Sequence, residues 1–254
     1  MSKNFELMQR ASKEREIVLV PERQASPARV NGNGKGHRNG AGLDLDRLAR
    51  EECLRLVQRI FLQQAGECPR AVVFAGVDHG NGCSRACVSV AEMLAGNTPG
   101  SVCLVDANLR SPSLPRFFGV TNHRGLTDAL FQGPPIRNFA RQLQPENLWL
   151  LSCGSPLADS HGLLHSDRLK TLLSDLRKEF DHVLVDAPPL SQYADAITLG
   201  QLADGVVLVV EANSTRRGAA LNATQNLRAA QIQVLGAILN KRTYPIPESL
   251  YQKL

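Results

Sequence analysis

The stretch Ala71-Val-Val-Phe-Ala-Gly-Val-Asp-His-Gly-Asn-Gly-Cys-Ser84 carries an unbroken apolar run into a glycine-rich turn, and a helical pattern follows over Arg85 to Ala95. An apolar run without alternation reads as a strand covered on both faces. A glycine-rich turn leading from such a strand into a helix is the setting that a phosphate-binding loop requires. In the full pattern GxxxxGK[ST], the glycines let backbone N–H groups close around phosphate oxygens, and the helix start adds a partial positive charge. The lysine reaches the β- and γ-phosphates and the hydroxyl binds Mg²⁺. Gly80, Asn81, Gly82 and Ser84 keep the cradle here, whereas Val77 stands in place of the first glycine and Cys83 in place of the lysine.

Outward from that loop, apolar runs at 101–105, 148–151, 182–185, 205–210 and 234–239 alternate with helical patterns. Strands and helices in this order predict an α/β fold, a doubly wound, mainly parallel sheet with helices on both faces, of the P-loop NTPase kind. Two runs end in aspartate: Asp106 in Leu104-Val-Asp-Ala-Asn-Leu-Arg110, and Asp186 in Asp181-His-Val-Leu-Val-Asp-Ala-Pro-Pro189. A carboxylate at the C-terminal end of an apolar strand, beside the switch point of such a sheet, is placed to bind Mg²⁺ or orient water. Capping of a local turn is the structural alternative.

Upstream, Leu43 to Gln64 spaces its leucines, Val57, Ile60 and Phe61 among charges and reads as an amphipathic helix entering the domain. Residues 21–42 hold five glycines and two prolines with Val30 nearly alone as an apolar residue, the composition of a flexible linker. Residues 1–20 place Phe5, Leu7, Met8 and Ala11 at helical spacing, either a short docking helix or a frayed tail. The expected organisation is thus a helical segment over 1–20, a linker over 21–42, one domain over 43–240 and a tail over 241–254.

Composition narrows the function classes. The 43% hydrophobic and 21% charged fractions are those of an ordinary soluble domain. No apolar stretch reaches membrane-spanning length and the N-terminus is polar, so a cytoplasmic protein without a transmembrane segment is expected. Of the net charge of +5, residues 1–42 contribute +4, from eight Lys or Arg against four Glu. A domain left nearly neutral gives no support to a nucleic-acid partner. The six cysteines, at 53, 68, 83, 87, 103 and 153, include no CxxC pair, which argues against a zinc site or a secreted disulfide framework.

Together, the loop, the segment Asp106-x-Asn-x-Arg110 and the strand ending in Asp186-Ala-Pro-Pro resemble the Walker A, A′ and B motifs of the bacterial tyrosine kinases of polysaccharide export, themselves similar to the MinD and ParA ATPases. Arg110-Ser-Pro-Ser-Leu-Pro-Arg-Phe-Phe-Gly119, Gly125-Leu-Thr-Asp-Ala-Leu130, Gly154-Ser-Pro and Leu163-Leu-His-Ser166 also resemble stretches of these kinases, and the likeness runs from about Asp44 to Asn240. The resemblance implies ATP or ADP with Mg²⁺ as cofactors. It implies Ser84, Asp106 and Asp186 as metal-binding residues, Asp106 and Asp186 as the catalytic carboxylates, and Asp106 as the group acting on a tyrosine hydroxyl. Gly80, Asn81, Gly82, Cys83, Ser84 and Arg85 would hold the nucleotide, and Asn240 matches the family's adenine-contacting asparagine. A homo-oligomer is implied too, together with a partner, the cytoplasmic segment of a membrane polysaccharide co-polymerase through which the protein reaches the membrane.

This sequence departs from the pattern where charge matters most. Cys83 removes the cation of the loop and Asn108 replaces the second aspartate of the family's Asp-x-Asp pair. Arg85 is one residue on, and a helix turns about 100° per residue, which aims it away from the cradle. Losing one preorganised charge of this kind costs roughly 10²–10³ in rate, while backbone amides still hold phosphate. Binding, though weakened, should therefore outlast turnover, as in a kinase-like regulator of exopolysaccharide synthesis. Two alternatives stand beside it. One is an active autokinase that phosphorylates Tyr244 or Tyr251, the two tyrosines of the tail. The other is a MinD- or ParA-like positioning ATPase, disfavoured by the near-neutral domain and the lack of an amphipathic C-terminal helix. In the family's oligomerisation pattern ExxRxxR, Glu52 and Arg55 are kept and Gln58 replaces the last arginine.

Overall fold

The computed structural model describes residues 17–21, 45–62, 68–155, 162 and 167–242. The apolar runs form strands: β1 (Ile17–Pro21), β2 (Ala71–Gly76), β3 (Val102–Asp106), β4 (Arg141–Gln142), β5 (Leu148–Leu151), β6 (His182–Ala187), β7 (Gly205–Glu211) and β8 (Val234–Arg242). The longer helices are α1 (Leu45–Phe61), α2 (Cys83–Ala95), α5 (Asp167–Glu179), α6 (Asp195–Leu202) and α7 (Arg217–Ala229), with short α3 (Leu114–Phe117) and α4 (Leu126–Gln132) between β3 and β4. One sheet contains all eight strands in the order β1-β8-β7-β2-β6-β3-β5-β4, parallel except where β4 meets β5.

The central strand shows why the sheet must be covered twice. Every residue of β2 is buried. Val73 and Ala75 join a core with Leu126 of α4, Leu172 of α5, Leu199 of α6 and Leu227 of α7, whereas Val72 and Phe74 join a second core with Leu56 of α1 and Leu94 of α2. Successive side chains of a strand point to opposite faces, so the continuous apolarity of these runs is the imprint of two helical layers. At about 25 cal/mol per Å² of apolar surface, burial of each such Phe or Leu stabilises the fold by roughly 1.5–3 kcal/mol.

One expectation at the N-terminus is corrected. Ile17–Pro21 is not the end of a helical segment but a strand that pairs in parallel with β8, Ile17 against Ala237 and Leu19 against Leu239. Its sequence Ile-Val-Leu-Val is rich in β-branched residues, which fit a pleated surface better than a helix. Of the linker expected over 21–42, Pro21 closes β1, while the rest of it, the remaining N-terminal segment and the tail residues Tyr244 and Tyr251 lie outside the described residues. Further in, Glu52 and Arg55 form an exposed ion pair of 2.7 Å on α1. A pair of this kind contributes about 0.3–0.5 kcal/mol.

Candidate nucleotide site

The loop between β2 and α2 is fixed at both ends. Val77, where the full pattern has glycine, is buried in the core, and its N–H donates to the Val209 carbonyl while its carbonyl accepts from Ser191. It therefore extends the strand rather than opening the loop. Gly80 at φ +84° and Gly82 at φ +77° occupy the left-handed region, where a side chain is strained. At Gly82 a Cβ would also run into the Asn240 amide.

Asn81 knots the loop to its surroundings. It is 2% exposed. Its Oδ1 accepts from the Asp78 N–H at 2.6 Å, its Nδ2 donates to Thr215 Oγ1 at 3.2 Å, and its carbonyl accepts from Asn240 Nδ2 at 2.8 Å. Thr215 in turn accepts from the Glu211 N–H, and Glu211 pairs with Lys241. Asn240 thus holds the loop through its amide nitrogen. Its other amide atom, Oδ1, has no hydrogen-bond partner among the described residues.

The two strand-end aspartates stand side by side, register partners on β3 and β6. Both are fully buried. Asp106 Oδ2 accepts from the Ser113 and Leu114 N–H groups at 3.0 Å each, while among the described residues no donor meets its Oδ1 or either oxygen of Asp186 in good geometry, the Ser84 hydroxyl and Cys83 thiol only approaching Asp186. Burial pushes Asp106 up to about 6 against the pull of those two N–H groups. Desolvation, and then the charge of Asp106, push Asp186 up to about 7, with the Ser84 hydroxyl and the Cys83 thiol offsetting the rise in part. The Cys83 thiol itself is driven well above its usual range by burial and by Asp186. It is a neutral group in the place of a cation.

Unpartnered buried carboxylate oxygens are what a hard cation would satisfy. Asp106, Asp186 and the Ser84 hydroxyl fit Mg²⁺ in chemistry, though among the described residues no group of three His, Cys, Asp or Glu has metal-ligand geometry. A bound ion would depend on the ligand's own oxygens for the rest of its shell. Mg²⁺ would supply charge neutralisation at phosphate oxygens; the chain itself supplies backbone N–H groups and position.

Of the residues predicted from sequence, Gly82, Cys83, Ser84, Asp106 and Asp186 meet in one place. Arg85 does not. It is exposed, as helix geometry requires, and faces a cavity of about 440 Å³ between α1 and α2. Arg50, Arg85 and Lys241 line that cavity, and Gly82 and Asn240 border it from the loop side. Sequence reading missed Thr215, whose signal was its position just past the apolar run of β7. It missed Asp195 as well. This buried carboxylate receives Arg110 at 3.4 Å while the guanidinium lies 3.9 Å over the Tyr193 ring, tying the loop after β3 to the loop after β6.

Comparison with known proteins bears on the family and the fold. The ParA family, described as a NUBPL iron-transfer P-loop NTPase, matches residues 70–252. Tyrosine-protein kinase YwqD of Bacillus subtilis is 30% identical over 171 residues, covering 67% of this chain and 72% of that protein. Tyrosine-protein kinase CpsD of Streptococcus agalactiae is 25% identical over 184 residues, covering 72% of this chain and 80% of CpsD. Among solved structures, the kinase domain of Escherichia coli tyrosine kinase ETK superposes with a TM-score of 0.74 at 21% identity, over 92% of this chain and 95% of that one. The chain belongs to the ParA family of P-loop NTPases, and bacterial tyrosine-protein kinases are among its homologues.

Proposed function

We propose that this protein is a cytoplasmic, tyrosine-kinase-like member of an exopolysaccharide synthesis or export system. In this role it binds nucleotide weakly, has impaired phosphoryl transfer and acts as a regulator on a membrane-embedded chain-length partner. The observation that carries the proposal is the neutral Cys83 thiol facing Asp186 where the loop's lysine belongs. Phosphoryl transfer asks the protein mainly to position groups and neutralise charge. Here the loop carries a thiol where a lysine would stand, and among the described residues no side-chain cation bonds Asp106 or Asp186, so a polyphosphate meets repulsion at the point where it needs support. Kinship with YwqD and CpsD supports the polysaccharide setting. Among the described residues no helix is long and apolar enough to cross a membrane.

Calorimetric titration with Mg-ATP tests the proposal, paired with mass spectrometry of Tyr244 and Tyr251 after incubation with ATP. Weak binding and unmodified tyrosines are expected. Cys83→Lys should tighten Mg-ATP at least about tenfold, the scale of one charge-assisted contact. Rapid tyrosine phosphorylation by the natural sequence would instead make it an active autokinase.

A further inference from the structure

We propose that the cavity between α1 and α2 binds a nucleoside monophosphate, its phosphate held by Arg50 and Arg85 outside the glycine loop and without a divalent cation. The inference rests on the reading of the loop as a cradle that has lost its cation. Arg50 and Arg85 are exposed and line one cavity of about 440 Å³. Among the described residues neither has an ion-pair or hydrogen-bond partner, in contrast to Arg55, Arg110 and Arg177. Guanidinium groups present planar forks of donors that match phosphate oxygens two at a time. Glu92 is the one carboxylate among the described lining residues, so the cavity favours an anion.

Its walls select against a bare ion. Ala49, Cys53, Ala86 and Met93 supply apolar surface beyond the cations, and the volume is that of a small-molecule site rather than an ion pocket. At the end bordered by Gly82, Asn240 presents an amide whose nitrogen is already committed to Asn81. The remaining oxygen accepts from an exocyclic amine, as a nucleobase provides. Without Mg²⁺, a phosphate in the inner cradle would approach the buried carboxylates of Asp106 and Asp186 with no cation between, so a metal-free monophosphate is held outside it.

Calorimetry of the full chain with AMP in EDTA tests the inference, with inorganic phosphate and ribose 5-phosphate as parallel probes. AMP is expected to bind without Mg²⁺, and to bind at least about tenfold more tightly than either probe. Arg50→Gln together with Arg85→Gln should weaken AMP about 10–100-fold, the scale of charge-assisted hydrogen bonds. Both residues are exposed and unpaired, so an unchanged thermal midpoint is expected and checks that the fold is intact. Failure of AMP to bind overturns the inference and leaves the cation-poor loop as it stands. So does binding that needs Mg²⁺ and survives loss of the arginines, and ribose 5-phosphate matching AMP overturns the nucleoside class. Tyrosine phosphorylation by Mg-ATP would overturn the proposed function while leaving the AMP result to be judged separately.

Discussion

The inner cradle and the outer cavity share Gly82 and Asn240 as a border yet carry opposite charge. Inside, Asp106 and Asp186 are buried with unpartnered oxygens and a neutral thiol for company. Outside, Arg50 and Arg85 are exposed and, among the described residues, unpaired beside Lys241. A nucleotide site needs glycines for shape and cations for charge, and here the two requirements have come apart. Shape was retained where the backbone demands it, and positive charge lies one helix face away.

The contrast breaks most decisively through Asp186. A carboxyl whose folded pKa is raised from the 3.8 of its exposed form to about 7 contributes stability that is complete below the lower value and lost as pH rises through the upper one. With chelator present, the thermal midpoint should therefore fall between pH 5 and 8. Asp186→Asn should flatten that slope and stabilise the protein at pH 8, by on the order of 4 kcal/mol as an upper bound. A variant destabilised at pH 8 would mean that the carboxylate has a partner and that the cradle is not charge-starved. Gly82→Ala comes next. The positive φ and the collision with Asn240 should cost about 1–3 kcal/mol in urea unfolding and loosen both regions at once, since both lean on this residue. Unchanged stability would show that the shared border is soft. The smallest effect belongs away from both regions: Arg55→Ala on α1 should alter stability by less than about 0.5 kcal/mol, because its ion pair with Glu52 is solvent-exposed.

The sheet was legible in the sequence because its central strands are buried on both faces, so unbroken apolar runs marked them and only their ends moved, by at most three residues. Asp106 and Asp186 were legible for a related reason, polar residues closing apolar runs at the edge where a doubly wound sheet collects its ligands. The partners of Asn81 were not. Thr215 and Asn240 reach it across more than a hundred residues, and nothing local encodes a hydrogen bond of that span. The outer cavity was equally hidden, for it depends on how α1 lies against α2 and on the turn of a helix that carries Arg85 outward. At β1, helical spacing at residues 5–11 suggests a helix carried through to residue 20, whereas Ile17–Pro21 is a β-branched stretch that pairs with β8 as a strand.

That first strand has a practical meaning for anyone trimming the protein to its nucleotide domain. Ile17–Pro21 lies at the outer edge of the sheet, alongside the same β8 that carries Asn240 to the loop. Removing it would bare a row of backbone donors and acceptors on a long apolar strand, an invitation to edge-to-edge aggregation. A shortened domain would then gather into aggregates through its back edge, and the loss of solubility would be mistaken for a fault of the site.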